Sequence, residues 1–365
     1  MSSLFRAKHP DLITGCIASS LMNLLIYSKK KQILLEYTTS YAIFAKIKNV
    51  IHLNNFLTMR QFLSMKPIIK TLAFSFLAVL ASCGEQKPEI LENTITSVKE
   101  EQAKTDSIGI DPMWGIQELA GIKDGGIVLK SNGGTNLYYV LSEKTHALQK
   151  AFGKSGSAGN EWIAPVLALS DETGKMYVID NGKHKLYTLS HFSVTKDTES
   201  PVKGLANSPQ VHAGYLYHTD LTPNKISLIV RNLSTGEVAD TISFIDPKNK
   251  GMAMIDDFVY GVGNGTLVIA HAVKDRFEIY SMSSAGKSSL LYTVQGQGKT
   301  DDKEYAYYSS VAFSGEYIYL LSQRHVSLSK MSGYSSIEVY TPEGKAVRNI
   351  KLDMIAGQMA VMSRL

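Results

Sequence analysis

The sequence predicts an all-β protein built as a β-propeller, and three observations point to this fold class. Beyond Trp114, short runs rich in Val, Ile, Leu and Tyr alternate with clusters of Gly, Asn, Asp and Ser, which is typical of strands and turns. No long amphipathic helix lies between these runs, which argues against alternating strands and helices. The runs also repeat at intervals of about 45 residues, a spacing typical of propeller blades.

Each repeat contains a small-residue turn, an apolar strand, a loop, a second strand, a polar turn and a third strand. The predicted strands are 126–130, 137–141, 147–152, 166–169, 176–180, 185–189, 215–219, 226–231, 266–271, 277–282, 317–321 and 337–340. The predicted second strands of five units are 137–141, 185–189, 226–231, 277–282 and 337–340. A sandwich or barrel of similar strand content is the alternative, but a single sandwich of this length would be large.

A sixth unit would begin near Ala356, shortly before the last residue of the sequence, Leu365. We therefore expect a six-bladed propeller whose last blade is incomplete. Residues 108–119 could supply a strand that closes the ring, as N-terminal segments often do in propellers.

Residues 65–82 have the pattern of a helical lipoprotein signal peptide. Lys66 and Lys70 form a cationic start, and the apolar run that follows is too short to span a bilayer as a finished helix. The run ends in Leu80-Ala81-Ser82-Cys83, which looks like a bacterial lipobox. We expect cleavage before Cys83 and attachment of a diacylglycerol to its thiol. The alternative is a buried apolar helix that ends by chance in Ser-Cys-Gly.

Residues 1–64 precede this signal, although a signal peptide normally acts from the N-terminus. We interpret them as a spurious extension, with translation starting at Met65 or Met59. A genuine membrane-associated region is the alternative, because residues 42–51 place apolar side chains at helical spacing, with lysines between them.

The charge of the chain depends on where the mature protein begins. The whole sequence carries 38 basic and 33 acidic residues, a net charge of +5. Without the ten basic and two acidic residues that precede Cys83, 28 basic and 31 acidic residues remain, a net charge of −3. A mildly acidic surface does not attract phosphate backbones, so no nucleic-acid partner is expected.

Cys83 is the only cysteine of the predicted mature chain, so no disulfide is expected.

Residues 83–112 are polar and charged after the cysteine, and they predict a flexible tether that joins the lipid to a propeller domain at 113–365.

One loop carries a family resemblance. The segment Phe152-Gly-Lys-Ser-Gly-Ser-Ala-Gly-Asn-Glu-Trp162 resembles the Phe-Gly-x-x-Gly-x-Gly-Pro-x-Glu-Phe loop of the TolB-like six-bladed β-propeller lipoproteins of Bacteroidetes. Ala158 and Gly159 stand where that pattern prefers Gly and Pro, and Trp162 replaces Phe. With the lipobox and the blade spacing, the resemblance covers about residues 83–365. It implies a fold and a cell-envelope location, not an activity.

An acidic, aromatic cluster could bind a sugar or a cation at a propeller mouth. It includes Asp301, Asp302, Tyr305 and Tyr307. A solvated loop whose tyrosines pack between blades is the simpler interpretation.

His212 and His218 would share a face of one continuous strand, but no third ligand marks a metal site there. Residues 293–300 end like a P-loop but lack its first glycine and its helix, so no nucleotide cofactor is expected.

These observations predict a lipid-anchored, non-catalytic binding or scaffolding module of the outer membrane, facing the periplasm or the cell surface. It would attach to the membrane through Cys83 and bind a protein or glycan partner. The alternative is a propeller enzyme, a lyase or glycan hydrolase, with carboxylates at the central channel. An enzyme should gather ionisable groups of several blades at one end of the channel, whereas a scaffold should expose apolar or Tyr-rich patches on its rim.

Overall fold

The computed structural model describes residues 87–361, except 104–107, 111, 133, 223–224, 246–256, 299–305, 328 and 331. The predicted extension at 1–64, the signal peptide and the lipobox residues Leu80, Ala81, Ser82 and Cys83 lie outside the described residues. The described chain forms one compact unit that begins at Lys87.

The regular secondary structure of the described residues is almost entirely β-strand, which confirms the predicted all-β class. Two short strands come first, and five antiparallel four-stranded units follow, each of which we call a blade. The first two strands are β1 (Glu89–Glu92) and β2 (Glu100–Gln102). Blade 1 comprises β3 (Ile116–Lys123), β4 (Gly126–Ser131), β5 (Tyr138–Ser142) and β6 (Leu148–Phe152). Blade 2 comprises β7 (Pro165–Ser170), β8 (Lys175–Asp180), β9 (Lys185–Ser190) and β10 (Ser193–Glu199).

Blades 3 to 5 repeat the same order. Blade 3 comprises β11 (Asn207–His212), β12 (Tyr215–Thr222), β13 (Lys225–Asn232) and β14 (Val238–Ile245). Blade 4 comprises β15 (Phe258–Gly263), β16 (Thr266–His271), β17 (Arg276–Met282) and β18 (Ser288–Gln295). Blade 5 comprises β19 (Tyr308–Ser314), β20 (Tyr317–Ser327), β21 (Ser332–Tyr340) and β22 (Ala346–Lys351). The helical elements described are two short 3-10 turns, at Ile95–Ser97 and Pro112–Trp114.

The blades are arranged as in a propeller, with the first strands of neighbouring blades next to each other. β7 and β11 form a short parallel pair, with Gln210 opposite Leu169, and β15 lies against β19. Each blade runs from this inner first strand to an outer fourth strand, and its neighbouring strands are antiparallel. The second strand therefore ends at the same end of the blade as the fourth. For this reason the turns between second and third strands and the loops that lead to the next blade lie at one end of the propeller. We call this the crossover end.

The hydrophobic core consists of layers between neighbouring blades. One layer joins blades 1 and 2 around Tyr138 and Val178, and another joins blades 4 and 5 around Phe277 and Tyr340. The second and third strands are covered on both faces, and they are therefore apolar almost throughout. This explains why ten of the twelve predicted strands coincide with second or third strands; the other two, 147–152 and 166–169, coincide with β6 and β7.

The strands that the prediction missed are mainly the first and fourth strands of the blades. The outer strand β10 has the sequence Ser-Val-Thr-Lys-Asp-Thr-Glu and is largely exposed. The predicted second strands of the five units are therefore the third strands β5, β9, β13, β17 and β21.

The N-terminal segment 87–103 is bound to the propeller, which corrects the prediction of a flexible tether for this part of the chain. β1 pairs in parallel with the outer strand β18, and β2 pairs in parallel with the outer strand β22. Between them, Ile95 enters the core between blades 4 and 5 and is only 1% exposed. The segment therefore bridges two blades at their outer edges.

The chain after blade 5 returns towards blade 1. Gln358 accepts a hydrogen bond from the Leu119 amide at 2.8 Å, and Ser310 donates one to the Met359 carbonyl at 3.2 Å. The described residues 352–361, where a sixth blade was expected to begin near Ala356, form no strand. Part of the range 108–119, which could have supplied a strand that closes the ring, belongs to β3, and β3 pairs with β4 as the first strand of blade 1.

The bridging segment provides a stability test. Replacing Ile95 with Ala should lower the free energy of unfolding by about 2–5 kcal/mol, because it leaves a cavity between two blades. Ile90→Ala, at a position 76% exposed in the same segment, should cost less than about 1 kcal/mol. Urea unfolding of both variants measures the difference, and equal losses would contradict the bridging role.

Candidate functional site

A cleft of about 380 Å³ lies at the crossover end between blades 4 and 5. Three parts of the chain form it: the turn and loop that border blade 4, the start of blade 5, and the N-terminal segment. The lining residues are Glu92, Asn93, Ile95, Thr96, Asp275, Gly296, Gln297, Gly298, Tyr307 and Arg324.

Two glycines let the chain wrap tightly around Asp275, which lies in the turn between β16 and β17. The Gly296 amide donates to the Asp275 carbonyl at 2.7 Å, and the Gly298 amide donates to its carboxylate at 3.2 Å. A Cβ atom at Gly296 would collide with the Asp275 carboxylate, and one at Gly298 would collide with the Tyr307 hydroxyl. The Gly-Gln-Gly sequence is therefore required by this close approach.

Arg324 of β20 forms the floor of the cleft and joins the two blades. Its guanidinium makes a two-point contact with Asp275, at 2.8 Å from Nη2 to Oδ1, and its Nε lies 3.3 Å from Glu338 Oε1 on β21. The Asp275 and Glu338 side chains are both only 2% exposed. Burial by itself lowers the pKa of Arg324, but the hydrogen bond to Asp275 and the charge of Glu338 outweigh it and raise this pKa above its usual range. Arg324 is therefore cationic at any pH at which the protein folds.

Buried tyrosines and Asn93 complete the network. Arg324 Nη2 donates to the Tyr308 hydroxyl at 3.2 Å, and the Tyr340 hydroxyl donates to Glu338 at 2.7 Å. Asn93 of the N-terminal segment donates to the Tyr308 hydroxyl and accepts from the Tyr340 hydroxyl. Burial raises the pKa of both tyrosines, which keeps them protonated as donors. The N-terminal segment is thereby tied to the ion pair through hydrogen bonds.

The cleft carries an excess of negative charge. One arginine faces Asp275 and Glu338, and Glu92 adds a third carboxylate at the rim, where its Oε1 accepts from the Gln297 amide at 2.8 Å. This rim hydrogen bond joins the N-terminal segment to the loop between blades 4 and 5.

Of the predicted ligand-binding residues, the structure places Tyr307 in this cleft. Its side chain is buried, and the Arg324 guanidinium carbon lies 5.5 Å from its ring centroid, a cation–π distance. Asp301, Asp302 and Tyr305 lie outside the described residues. Tyr307 thus packs between blades 4 and 5.

Sequence analysis missed Asp275, Arg324 and Asn93. They are far apart in the chain, and each is surrounded by ordinary strand or turn sequence. The local signal for this cleft in the sequence is the Gly296-Gln297-Gly298 turn. It lies within residues 293–300, which resemble a P-loop only at their end.

The inner strands carry few ionisable side chains, and those described contact other groups of the protein. Glu118 pairs with Lys130 at 3.1 Å, and Lys123 donates to the Ser170 carbonyl at 2.7 Å. His212 lies 3.1 Å from an Asp171 carboxylate oxygen. The described part of the chain does not bring carboxylates of several blades together along these strands.

His212 and His218 lie on neighbouring antiparallel strands, not on one continuous strand. A turn separates them, and His218 Nε2 accepts a hydrogen bond from Arg231 at 3.3 Å. Burial, together with the charge of Arg231, lowers the pKa of His218 from 6.5 to about 4. Within the described ranges, no three His, Cys, Asp or Glu side chains are grouped as metal ligands.

Neither a family model nor a curated protein matches the chain. Among solved structures, it is similar to a Bacteroides fragilis protein described as exported, at 12% identity and a TM-score of 0.42, over 72% of this chain and 79% of that one. It is also similar to Hsv2 of Kluyveromyces marxianus, at 10% identity and a TM-score of 0.37, over 62% of this chain and 58% of that one. A third similar structure is from a nidogen/laminin complex, at 14% identity and a TM-score of 0.37, over 62% of this chain and 76% of that one. These values are too low to support an argument about fold or function.

Arg324→Met should lower the free energy of unfolding by about 3–5 kcal/mol, because it leaves two buried carboxylates without their counter-ion. Arg348→Met is the matched control: Arg348 pairs with Glu101 on the surface and is 50% exposed, so its loss should cost about 1 kcal/mol or less. Chemical denaturation of both variants at neutral pH tests this contrast. Similar small losses would show that the buried network is not a major source of stability.

His218 should make the protein less stable in mild acid. The pKa of His218 is lower in the folded protein than in the unfolded chain. Its contribution to the free energy of unfolding is therefore complete above pH 6.5 and is lost as the pH falls through about 4. His218→Gln should reduce the fall in unfolding free energy over this window by on the order of 3 kcal/mol. Unfolding curves at several pH values measure this, with the exposed His146→Asn as a control that should keep the wild-type dependence. An unchanged dependence in His218→Gln would refute the prediction.

Proposed function

We propose that this protein is a lipid-anchored β-propeller of the cell envelope that acts as a non-catalytic binding or scaffolding module. The anchor is the diacylglycerol on Cys83, and the location is the outer membrane, with the domain facing the periplasm or the cell surface. The resemblance to TolB-like propeller lipoproteins of Bacteroidetes belongs to the same proposal. The lipobox 80–83 supports the anchor, and no helix in the described part of the chain is long and apolar enough to cross a membrane.

The observation that carries the non-catalytic role is the pairing of the ionisable groups. An acid or base catalyst needs a group that can exchange a proton with a substrate. At the cleft, Asp275 and Glu338 are both engaged by Arg324, and on the inner strands Glu118 and Lys123 contact other protein groups. The contacts of Arg324 with Asp275 and of Lys123 with Ser170 join neighbouring blades, which supports a structural role for these groups.

Exposed apolar side chains at the crossover end support a binding role. They lie in the segments that enter or leave blades, where a loop has no packing reason to be apolar. They are Met113 at 82% exposure, Leu205 at 64%, and Ile163 and Met354 at 52% each. A partner that covers this end would bury them, and the crossover end is therefore the proposed partner-binding face.

The anchor is tested by intact mass measurement of the protein extracted from its own membranes. We expect a chain that starts at an acylated Cys83, and we expect Cys83→Ser to leave the signal uncleaved and the mass without lipid. A native chain that keeps residues 1–64 and carries no lipid would overturn the proposal.

The binding face is tested by placing a photo-crosslinking amino acid at Leu205 or at Val194 in the living cell. Val194 is 51% exposed but lies at the start of β10, away from the crossover end. We expect a discrete cross-linked product from Leu205 only. Products from both positions, or from neither, would contradict a partner at the crossover end.

A further inference from the structure

The cleft between blades 4 and 5 is large enough for a small ligand. Its volume of about 380 Å³ is within the range of small-molecule sites. Its walls are held rigidly, because Asp275 and Arg324 are locked in the ion-pair network and Asn93 is fixed by Tyr308 and Tyr340.

The charge of the cleft disfavours an anionic ligand. Among the described residues that line the cleft, Arg324 is the only cation, and two buried carboxylates already engage it. Glu92 adds negative charge at the rim. A phosphate or carboxylate ligand would have to compete with Asp275 for the guanidinium and would be repelled by the remaining carboxylates.

The donor set also disfavours a metal ion. A hard cation needs several oxygen ligands that converge on one point. Here both Asp275 oxygens are bound by Arg324, and Asn93 Oδ1 accepts from the Ile95 amide and the Tyr340 hydroxyl. Glu92 is the remaining carboxylate of the lining, and it contacts Gln297.

The side chains at the mouth suit hydroxyl groups. Glu92 can accept hydrogen bonds, Thr96 can donate and accept, and the Gln297 amide can do both. The apolar members of the lining, Ile95 and Tyr307, are almost fully buried and expose little surface. A ligand that fits would be compact, uncharged and rich in groups that both donate and accept.

We propose that this cleft binds a neutral carbohydrate, through hydrogen bonds to Glu92, Thr96 and Gln297 at the mouth between the N-terminal segment and residues 296–298 after β18. The inference rests on the proposed role as a binding module and adds a ligand class to it. The cleft lies at the same crossover end as the exposed apolar loops, but different side chains form it, so the two sites can be tested separately.

The test uses the detergent-extracted full chain and saturation-transfer NMR with glucose, galactose, mannose, N-acetylglucosamine, maltose and lactose. We expect saturation transfer to at least one of these sugars. Gln297→Ala should weaken its binding about fivefold to tenfold, as expected for one lost hydrogen bond, and Glu92→Gln, which keeps one acceptor oxygen but loses the charge, should weaken it by a smaller factor. Both side chains are at the exposed rim, so the thermal unfolding of the variants should match that of the wild type.

Matched controls separate the cleft from the rest of the surface. Gln149→Ala and Glu199→Gln change exposed residues on the outer strands of blades 1 and 2, and they should leave the sugar affinity unchanged. The proposal is overturned if no sugar binds, if the control variants weaken binding as much as the cleft variants, or if inorganic phosphate competes with the sugar. These results leave the mass and cross-linking tests unaffected, because neither of those depends on a sugar.

Discussion

The arrangement of blades 4 and 5 depends on one buried arginine held between two buried carboxylates. Charges removed from water are costly unless they are paired and hydrogen-bonded, and Arg324 meets this condition through Asp275 of blade 4 and Glu338 of blade 5. Because the three groups come from two blades, the pairing requires those blades to adopt one relative position. The hydroxyls of Tyr308 and Tyr340 extend the network to Asn93.

The N-terminal segment is part of this arrangement. Its strands β1 and β2 cover the outer edges of blades 4 and 5, which would otherwise present unpaired backbone groups. Asn93 and Ile95 lie between those strands and enter the space between the blades. The segment also forms one wall of the cleft. Under the proposed topology, the part of the chain nearest the lipid anchor is therefore the part that completes the candidate ligand site.

The same network is consistent with the proposed role in binding. A buried guanidinium that is already engaged on several sides holds its position and resists proton transfer, as its raised pKa indicates. The hydrogen-bonding groups that remain accessible are uncharged or lie at the rim. Under the proposed function, the crossover end carries two neighbouring recognition sites, a polar concave cleft and the apolar loops.

The sequence by itself determined the all-β class, the period of the blades and the position of their middle strands, because a strand covered on both faces must be apolar and this can be seen locally. It also supports the lipobox at Cys83, which is a local motif. It could not reveal the exposed outer strands, whose residues resemble those of loops, or the docking of 89–102. Only the tertiary structure brought Asn93, Asp275 and Arg324 together, because the hydrogen bonds of their network span up to 247 residues of chain, between Asn93 and Tyr340. Such contacts leave no periodic or local signal, since each residue is selected by partners on another blade.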